Sequence, residues 1–426
     1  MKKIFLMMSL FLLIFLFVGC KQKVMEDATI DAPTGMPSDT VAGKDFYDGS
    51  LSPDVMEGEV EPKEEGSPNF IPQAGQISAS EWSDLKNYRF WLSLFTSGQD
   101  SKEGLFTEHF QKGYFDTLNM IEVVIKNGEE KVSGAKVELL SENQEVLYTS
   151  ITNANGKAYL FPATKEITTI KQIGITVNNV TTYKDYTYSK ETNVVEYDIK
   201  TSNTKEKIIE IMFVVDTTGS MGDEISYLKA EIDYVISSAK RNHQEAEVRL
   251  ALLFYRDFGD EYVTRYFDFS TNIEEQKKNL AAQNALGGGD WEEAVDVALE
   301  EAVTKKWSEQ NTTKLLFHVL DAPPHYEKDI MTRYANAIQV ASSKGIRMIP
   351  VASSGIDKYT EYLLRNEAMM TGGTYTYITN HSGIGDEHIE ATVGETVVEY
   401  LNMMLIRIIS EYYTGIEQEK VPYYQK

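Results

Sequence analysis

Hydrophobic and polar positions change their spacing several times along the chain, and each change marks a different kind of segment. An apolar stretch from Ile4 to Val18, interrupted only by Ser9, is followed by a region poor in apolar residues up to about Ser78. Aromatic residues then cluster between Ser80 and Leu118: Trp82, Tyr88, Phe90, Trp91, Phe95, Phe106, Phe110, Tyr114 and Phe115. Packing against the next domain is the reading adopted for them. From Met120 to Lys200 the period is two: Ile121, Val123 and Ile125 alternate with Glu122, Val124 and Lys126. Turn pairs such as Asn127-Gly128 and Asn155-Gly156 separate these short runs, as in an all-β sandwich.

Beyond residue 207 largely apolar runs take over. Ile208–Val215, Val248–Tyr255, Leu315–Leu320 and Ile346–Val351 read as strands buried on both faces. Tyr262–Phe269 alternates and suits an edge strand, and Thr374–Ile378 reads as the last strand. Between the runs, apolar residues recur at helical spacing. Ile225, Leu228, Ile232, Val235 and Ala239 form one face of a helix expected over 222–240, and Val397, Leu401, Leu405 and Ile408 one face of a closing helix over 394–412. Strands alternating with helices predict a doubly wound, mostly parallel α/β sheet.

Candidate chemistry sits at the ends of these runs. Asp216-Thr217-Thr218-Gly219-Ser220 ends the first, and a carboxylate with two hydroxyls on alternate positions makes an oxygen-rich cup suited to a hard divalent cation. Asp290 follows Gly287-Gly288-Gly289, at what reads as a helix start, and Asp321 ends another apolar run before Ala322-Pro323-Pro324. Each aspartate alone is also what a helix cap or turn would use. Open α/β sheets place ligands at such strand ends.

These three motifs, in this order, resemble the von Willebrand factor A family and its metal-ion-dependent adhesion site. The resemblance covers roughly 207–412 and implies a divalent cation, Mg2+ or else Mn2+ or Ca2+, held by Asp216, Thr218, Ser220, Asp290 and Asp321. It also implies a protein or glycan partner at the metal. The family normally has threonine in the second loop; Gly287-Gly288-Gly289-Asp290-Trp291-Glu292-Glu293-Ala294 resembles a branch with aspartate there. Three carboxylates facing the ion would hold it more firmly and reduce its need for an acidic group on a partner. Ser133-Gly134-Ala135-Lys136-Val137 and Thr152–Ala158 resemble the carboxypeptidase regulatory-like sandwich family, which implies a spacer.

The N-terminus gives an address. Met1-Lys2-Lys3 before the apolar stretch reads as a secretory signal, too short to span a bilayer comfortably. Phe17-Val18-Gly19-Cys20 resembles a bacterial lipobox, which implies lipidation of Cys20 and a cell-envelope location with the chain anchored to a membrane outside the cytoplasm. Cys20 is the only cysteine, so an intramolecular disulfide is excluded. Between Lys21 and Ser78, twelve Asp and Glu stand against four Lys, with six prolines, the composition of an extended disordered tether. The resulting division is a signal peptide at 1–19, tether at 20–78, aromatic connecting segment at 79–118, sandwich at 119–202, α/β domain at 207–412 and tail at 413–426.

Net charge of −24 argues against nucleic acid as a partner. The histidines leave more open. His318, within an apolar run, reads as a core residue, His325 as a residue lining the crevice, and His381 and His388 as flanking a loop where zinc is an alternative. No nucleophile–base pair, zinc-protease helix or phosphate loop is present, so the chain offers no positive case for an enzyme. A cation-dependent binding domain leads. A scaffold whose metal only staples loops, and a metal-dependent envelope hydrolase using His325, are the alternatives.

Overall fold

The computed structural model describes residues 72–96, 102–190, 193–201, 206–222, 224–385 and 387–424. The signal segment, Cys20 and the tether up to residue 71 lie outside the described residues. Among those described, no helix is long and apolar enough to cross a membrane.

One mixed eight-stranded sheet organises the α/β part. Its parallel centre is built from the four expected runs, β10 (Ile208–Asp216), β11 (Glu247–Tyr255), β13 (Thr312–Leu320) and β14 (Ile346–Ala352), with β15 (Tyr375–Ile378) beside β14. β12 (Thr264–Ser270) closes one edge antiparallel to β11. Alternate residues of β10 face opposite sides. Ile209, Ile211, Phe213 and Val215 enter a core with α3 (Ile225–Asn242) and α8 (Leu401–Thr414). Met212 and Val214 enter the other core, with α5 (Val295–Thr304), α6 (Lys328–Lys344) and α7 (Lys358–Thr371). α4 (Ile273–Ala281), capped by the Asn272 side chain, follows β12.

The far edge differs from the expectation. β15 is not the last strand of the sheet, because β1 (Ser78–Trp82) pairs antiparallel with it and then with the two-residue β16 (Glu399–Tyr400). The sheet is therefore assembled from both sides of the intervening β module, and the segment read as a connection supplies one of its strands. Residues 394–400, expected to open the closing helix, instead lead into β16, and Val397 is exposed. A strand partner at that edge captures the backbone before helix α8 can begin.

Buried polar contacts fix this segment. Glu231 on α3 accepts the backbone N–H groups of Gly75, Gln76 and Ile77 at 2.9 to 3.2 Å. Asp84 takes two bonds from the fully buried Arg365, 2.8 Å from Nε and 2.6 Å from Nη2. After it come α1 (Tyr88–Ser93) and α2 (Thr107–Gln111), and the Trp91 ring lies parallel to that of Tyr362 at 6.1 Å. The aromatic cluster thus packs onto α7.

Residues 121–198 form two four-stranded sheets. One joins β2 (Ile121–Asn127), β3 (Glu130–Lys131), β6 (Lys157–Leu160) and β9 (Val194–Asp198); the other orders β5 (Val146–Ile151), β4 (Lys136–Ser141), β7 (Ile170–Val177) and β8 (Val180–Asp185). Their apolar residues belong to the same core as α6 and α7, and Tyr148 donates to the Met370 carbonyl at 3.1 Å.

Candidate metal centre

Three loops at the carboxyl ends of the parallel strands converge because their backbones are tied together. Gly219 N–H donates to Gly287 O at 3.0 Å, and Leu286 N–H to Thr217 O at 3.0 Å. A Cβ at Gly219 would stand 2.9 Å from that Gly287 oxygen, so the approach of the first two loops needs glycine. Glu293 N–H donates to Pro323 O at 2.9 Å and joins the second loop to the third.

Three of the five expected ligands, Asp216, Thr218 and Ser220, form one hydrogen-bonded chain. Asp216 ends β10, and its Oδ1 accepts from Thr218 N at 2.8 Å and Thr218 Oγ1 at 2.7 Å. Thr218 Oγ1 lies 3.1 Å from Ser220 Oγ, and the nearby Ser220 hydroxyl acts to lower the pKa of Asp321. Asp216, Thr218 and Asp321 are buried, whereas Ser220 is exposed, so the cup opens to solvent on the serine side.

Asp290 sits differently from the other four. It is exposed, and its carboxylate gathers with Asp257 and His325. It is not a helix start, since α5 begins at Val295. The cause lies in the glycines: Gly287 and Gly288 both have positive φ, +83° and +74°, and Gly288 N–H is held by Asp260 Oδ2 at 2.9 Å, which turns the loop outward. Glu293, three residues on, is buried in its place. A Cβ at Gly288 would meet Glu293 Oε1 at 3.0 Å and Thr218 Cβ at 3.4 Å, which places this carboxylate against the first loop.

The electrostatics are those of carboxylates crowded together away from water. Desolvation raises Asp216 above the usual carboxylate range, against the two hydrogen bonds from Thr218. Desolvation and the neighbouring Asp216 charge raise Asp321. Desolvation, with the charges of Asp216, Asp257, Asp321 and Asp260, pushes Glu293 up to about 9. Asp216 Oδ2, Asp321 Oδ1 and Glu293 Oε2 are buried with no hydrogen-bond partner. Buried polar atoms are rarely left so, and an oxygen-only set with two adjacent hydroxyls fits a hard divalent cation.

Beneath the cup, the Tyr255 hydroxyl lies 3.4 Å from His318 Nε2, and His318 Nδ1 is 3.1 Å from Glu367. His318 is fully buried and held on both sides, as a core histidine. His388 packs on Asn380 (2.9 Å) and near Glu224 (3.4 Å), while His381 lies 3.3 Å from Thr379 Oγ1. Among the described residues neither histidine belongs to a group of three or more metal-ligating side chains; the set that forms one is Asp257, Asp290 and His325. Asp257 was legible by the rule that found Asp216 and Asp321, a carboxylate just past a buried apolar run. Glu293 was not, because the loop's path hides which acidic residue turns inward.

Residues 210–384 match the von Willebrand factor A domain family. Among curated proteins, the chain is 30% identical over 119 residues to the alpha-protein kinase vwkA of Dictyostelium discoideum, spanning 28% of this chain and 19% of that protein. It is 21% identical over 222 residues to a putative ariadne-like RING finger protein R811 of Acanthamoeba polyphaga mimivirus, spanning 50% of this chain and 22% of that one. The chain therefore spans about a fifth of the length of these relatives. A crystal structure of the conserved hypothetical protein BatB from Bacteroides thetaiotaomicron overlays with a TM-score of 0.33 and 10% identity, over 48% of this chain and 98% of that chain, a likeness too slight to bear on function. The chain carries a von Willebrand factor A domain at residues 210–384.

Proposed function

We propose that this chain is a bacterial cell-envelope lipoprotein, anchored through Cys20, whose von Willebrand factor A domain binds a protein or glycan partner through a divalent cation, Mg2+ in the first instance. The cation would be held by Asp216, Thr218, Ser220 and Asp321, with Glu293 as the third carboxylate. The observation that carries the reading is the set of three buried, unpartnered carboxylate oxygens beside two hydroxyls. The exposure of Ser220 favours binding over a purely structural staple, because it leaves a coordination position facing solvent. The two-sheet module at 121–198 serves as a carboxypeptidase regulatory-like sandwich, a spacer between anchor and binding domain.

The test is capture of envelope proteins and glycans on the purified chain in Mg2+ and then in chelator. Partners that elute with chelator, and that Ser220→Ala fails to retain, support the reading. Retention unaffected by both refutes it. For the anchor, Cys20→Ala should release the protein from the membrane or leave its signal uncleaved; normal processing with unchanged membrane partition would refute that part.

A further inference from the structure

We propose that Asp257, Asp290 and His325 form a second cation site beside the oxygen-only cup, selective for a transition-metal ion of the zinc class over Mg2+. The three residues come from three different loops, after β11, after the glycine run and after β13, so nothing in local sequence obliges them to meet. Yet each offers a ligand atom within 4.8 Å of the others, and His325 Nε2 stands 2.8 Å from Asp257 Oδ1. Zinc bonds of about 2.0–2.2 Å place two ligands of one ion up to roughly 4 Å apart. The exposed Asp290 side chain needs only a small rotation to complete the set.

Chemistry separates the two sites. An imidazole nitrogen is a good ligand for Zn2+, Co2+ or Mn2+ and a poor one for Mg2+, which takes oxygens and retains its waters. Three protein ligands also leave positions on the ion open. The surroundings add support independent of the three ligands. Asp260 braces the site from behind, accepting Asp257 N–H at 3.2 Å and Gly288 N–H at 2.9 Å through Oδ2. Asp296 is fully buried; Arg333 Nη1 holds its Oδ2 at 2.9 Å, and its Oδ1 has no hydrogen-bond partner.

The ordinary alternative is an Asp257–His325 ion pair with Asp290 nearby by chance. Calorimetric titration of Zn2+ into the purified protein, under saturating Mg2+, separates the two. One Zn2+ site is expected, weakened tenfold or more by His325→Gln and several-fold by Asp290→Asn, and within twofold of wild type in Ser220→Ala. Because Asp290 is exposed, Asp290→Asn will fold even if His325→Gln does not. Co2+ should give a visible absorption band lost in His325→Gln. Absence of Zn2+ binding in the wild type, or binding indifferent to both outer-site variants, would overturn the proposal. Loss in Ser220→Ala to the same degree as in Asp290→Asn would also overturn it, since the ion would then sit in the cup. Failure of Mg2+ to bind, with Zn2+ binding as described, would sink the adhesion-type reading and leave this site standing.

Discussion

Two regions of this molecule gather buried acidic residues and treat them in opposite ways. Where the N-terminal segment docks, every one is satisfied. Glu231 accepts three backbone N–H groups, Asp84 pairs with Arg365 through two bonds, and Glu361 accepts from Thr392 N and Oγ1 and sits 2.9 Å from Lys358 Nζ. At the cup, Asp216, Asp321 and Glu293 each keep an oxygen with no partner. Folding alone would not retain the second arrangement, because several kcal/mol per ion go into taking charges out of water, and only an opposite charge offsets that. The first set holds a strand in place. The second is organised for something that arrives from outside.

The largest effect should therefore come from the satisfied set. Asp84→Ala leaves the Arg365 guanidinium buried without its main counter-charge and should cost about 3–5 kcal/mol in denaturant unfolding. Mg2+ should not restore it. If Asp84→Ala unfolds like the wild type, the docking of β1 does not depend on the pair.

Asp321→Asn should do the reverse. Removing a carboxylate that is desolvated and repelled by Asp216 should leave the metal-free protein as stable as wild type or more so. The stabilisation by Mg2+ should disappear, a loss of about 2.7 kcal/mol at one hundred times the wild-type Kd. A variant that is destabilised without metal, yet still stabilised by Mg2+, would show that Asp321 is structural.

The same carboxylates fix a pH dependence whose sign is opposite to that of a salt-bridged acid. Their folded-state pKa values are raised, to about 9 for Glu293, so the native cup holds protons more tightly than the unfolded chain does. Their contribution is fully present below the unfolded carboxylate range near pH 4 and is lost as pH rises toward 9. Metal-free melting temperature should fall over that window, by a few degrees. The gain from Mg2+ should grow over it, since the cation binds the deprotonated form. A metal-free melting temperature that rises with pH through this window would contradict the cup as described.

The two regions also differ in how far the sequence reveals them. β10, β11, β13 and β14 are legible because strands buried on both faces must be largely apolar, and Asp216 and Asp321 are legible as the carboxylates at the ends of such runs. β1 is not. Ser78, Ala79, Ser80, Glu81 and Trp82 carry no strand-like apolar pattern, and their partner, β15, lies some three hundred residues downstream. Backbone pairing with a distant edge leaves little trace in local spacing. The choice between Asp290 and Glu293 was hidden for a related reason, since it depends on glycine φ angles and on Asp260 reaching across from another loop.

The smallest effect on folding should come from the residue most exposed to a partner. Ser220→Ala removes a hydroxyl that points toward solvent and bonds only within the cup, so the metal-free stability should stay within about 0.5 kcal/mol of wild type. Its effect belongs to the bound state. With one oxygen ligand gone, Mg2+ must take another water in that position, and the affinity measured by calorimetry should fall several-fold while the unfolding curve without metal does not move. Such a separation, no cost in folding and a clear cost in cation binding, is what distinguishes a ligand from a brace. Were Ser220→Ala to lower stability without metal as much as it lowers Mg2+ affinity, the hydroxyl would be a loop contact, and the contrast with Asp84 and Arg365 would lose its basis.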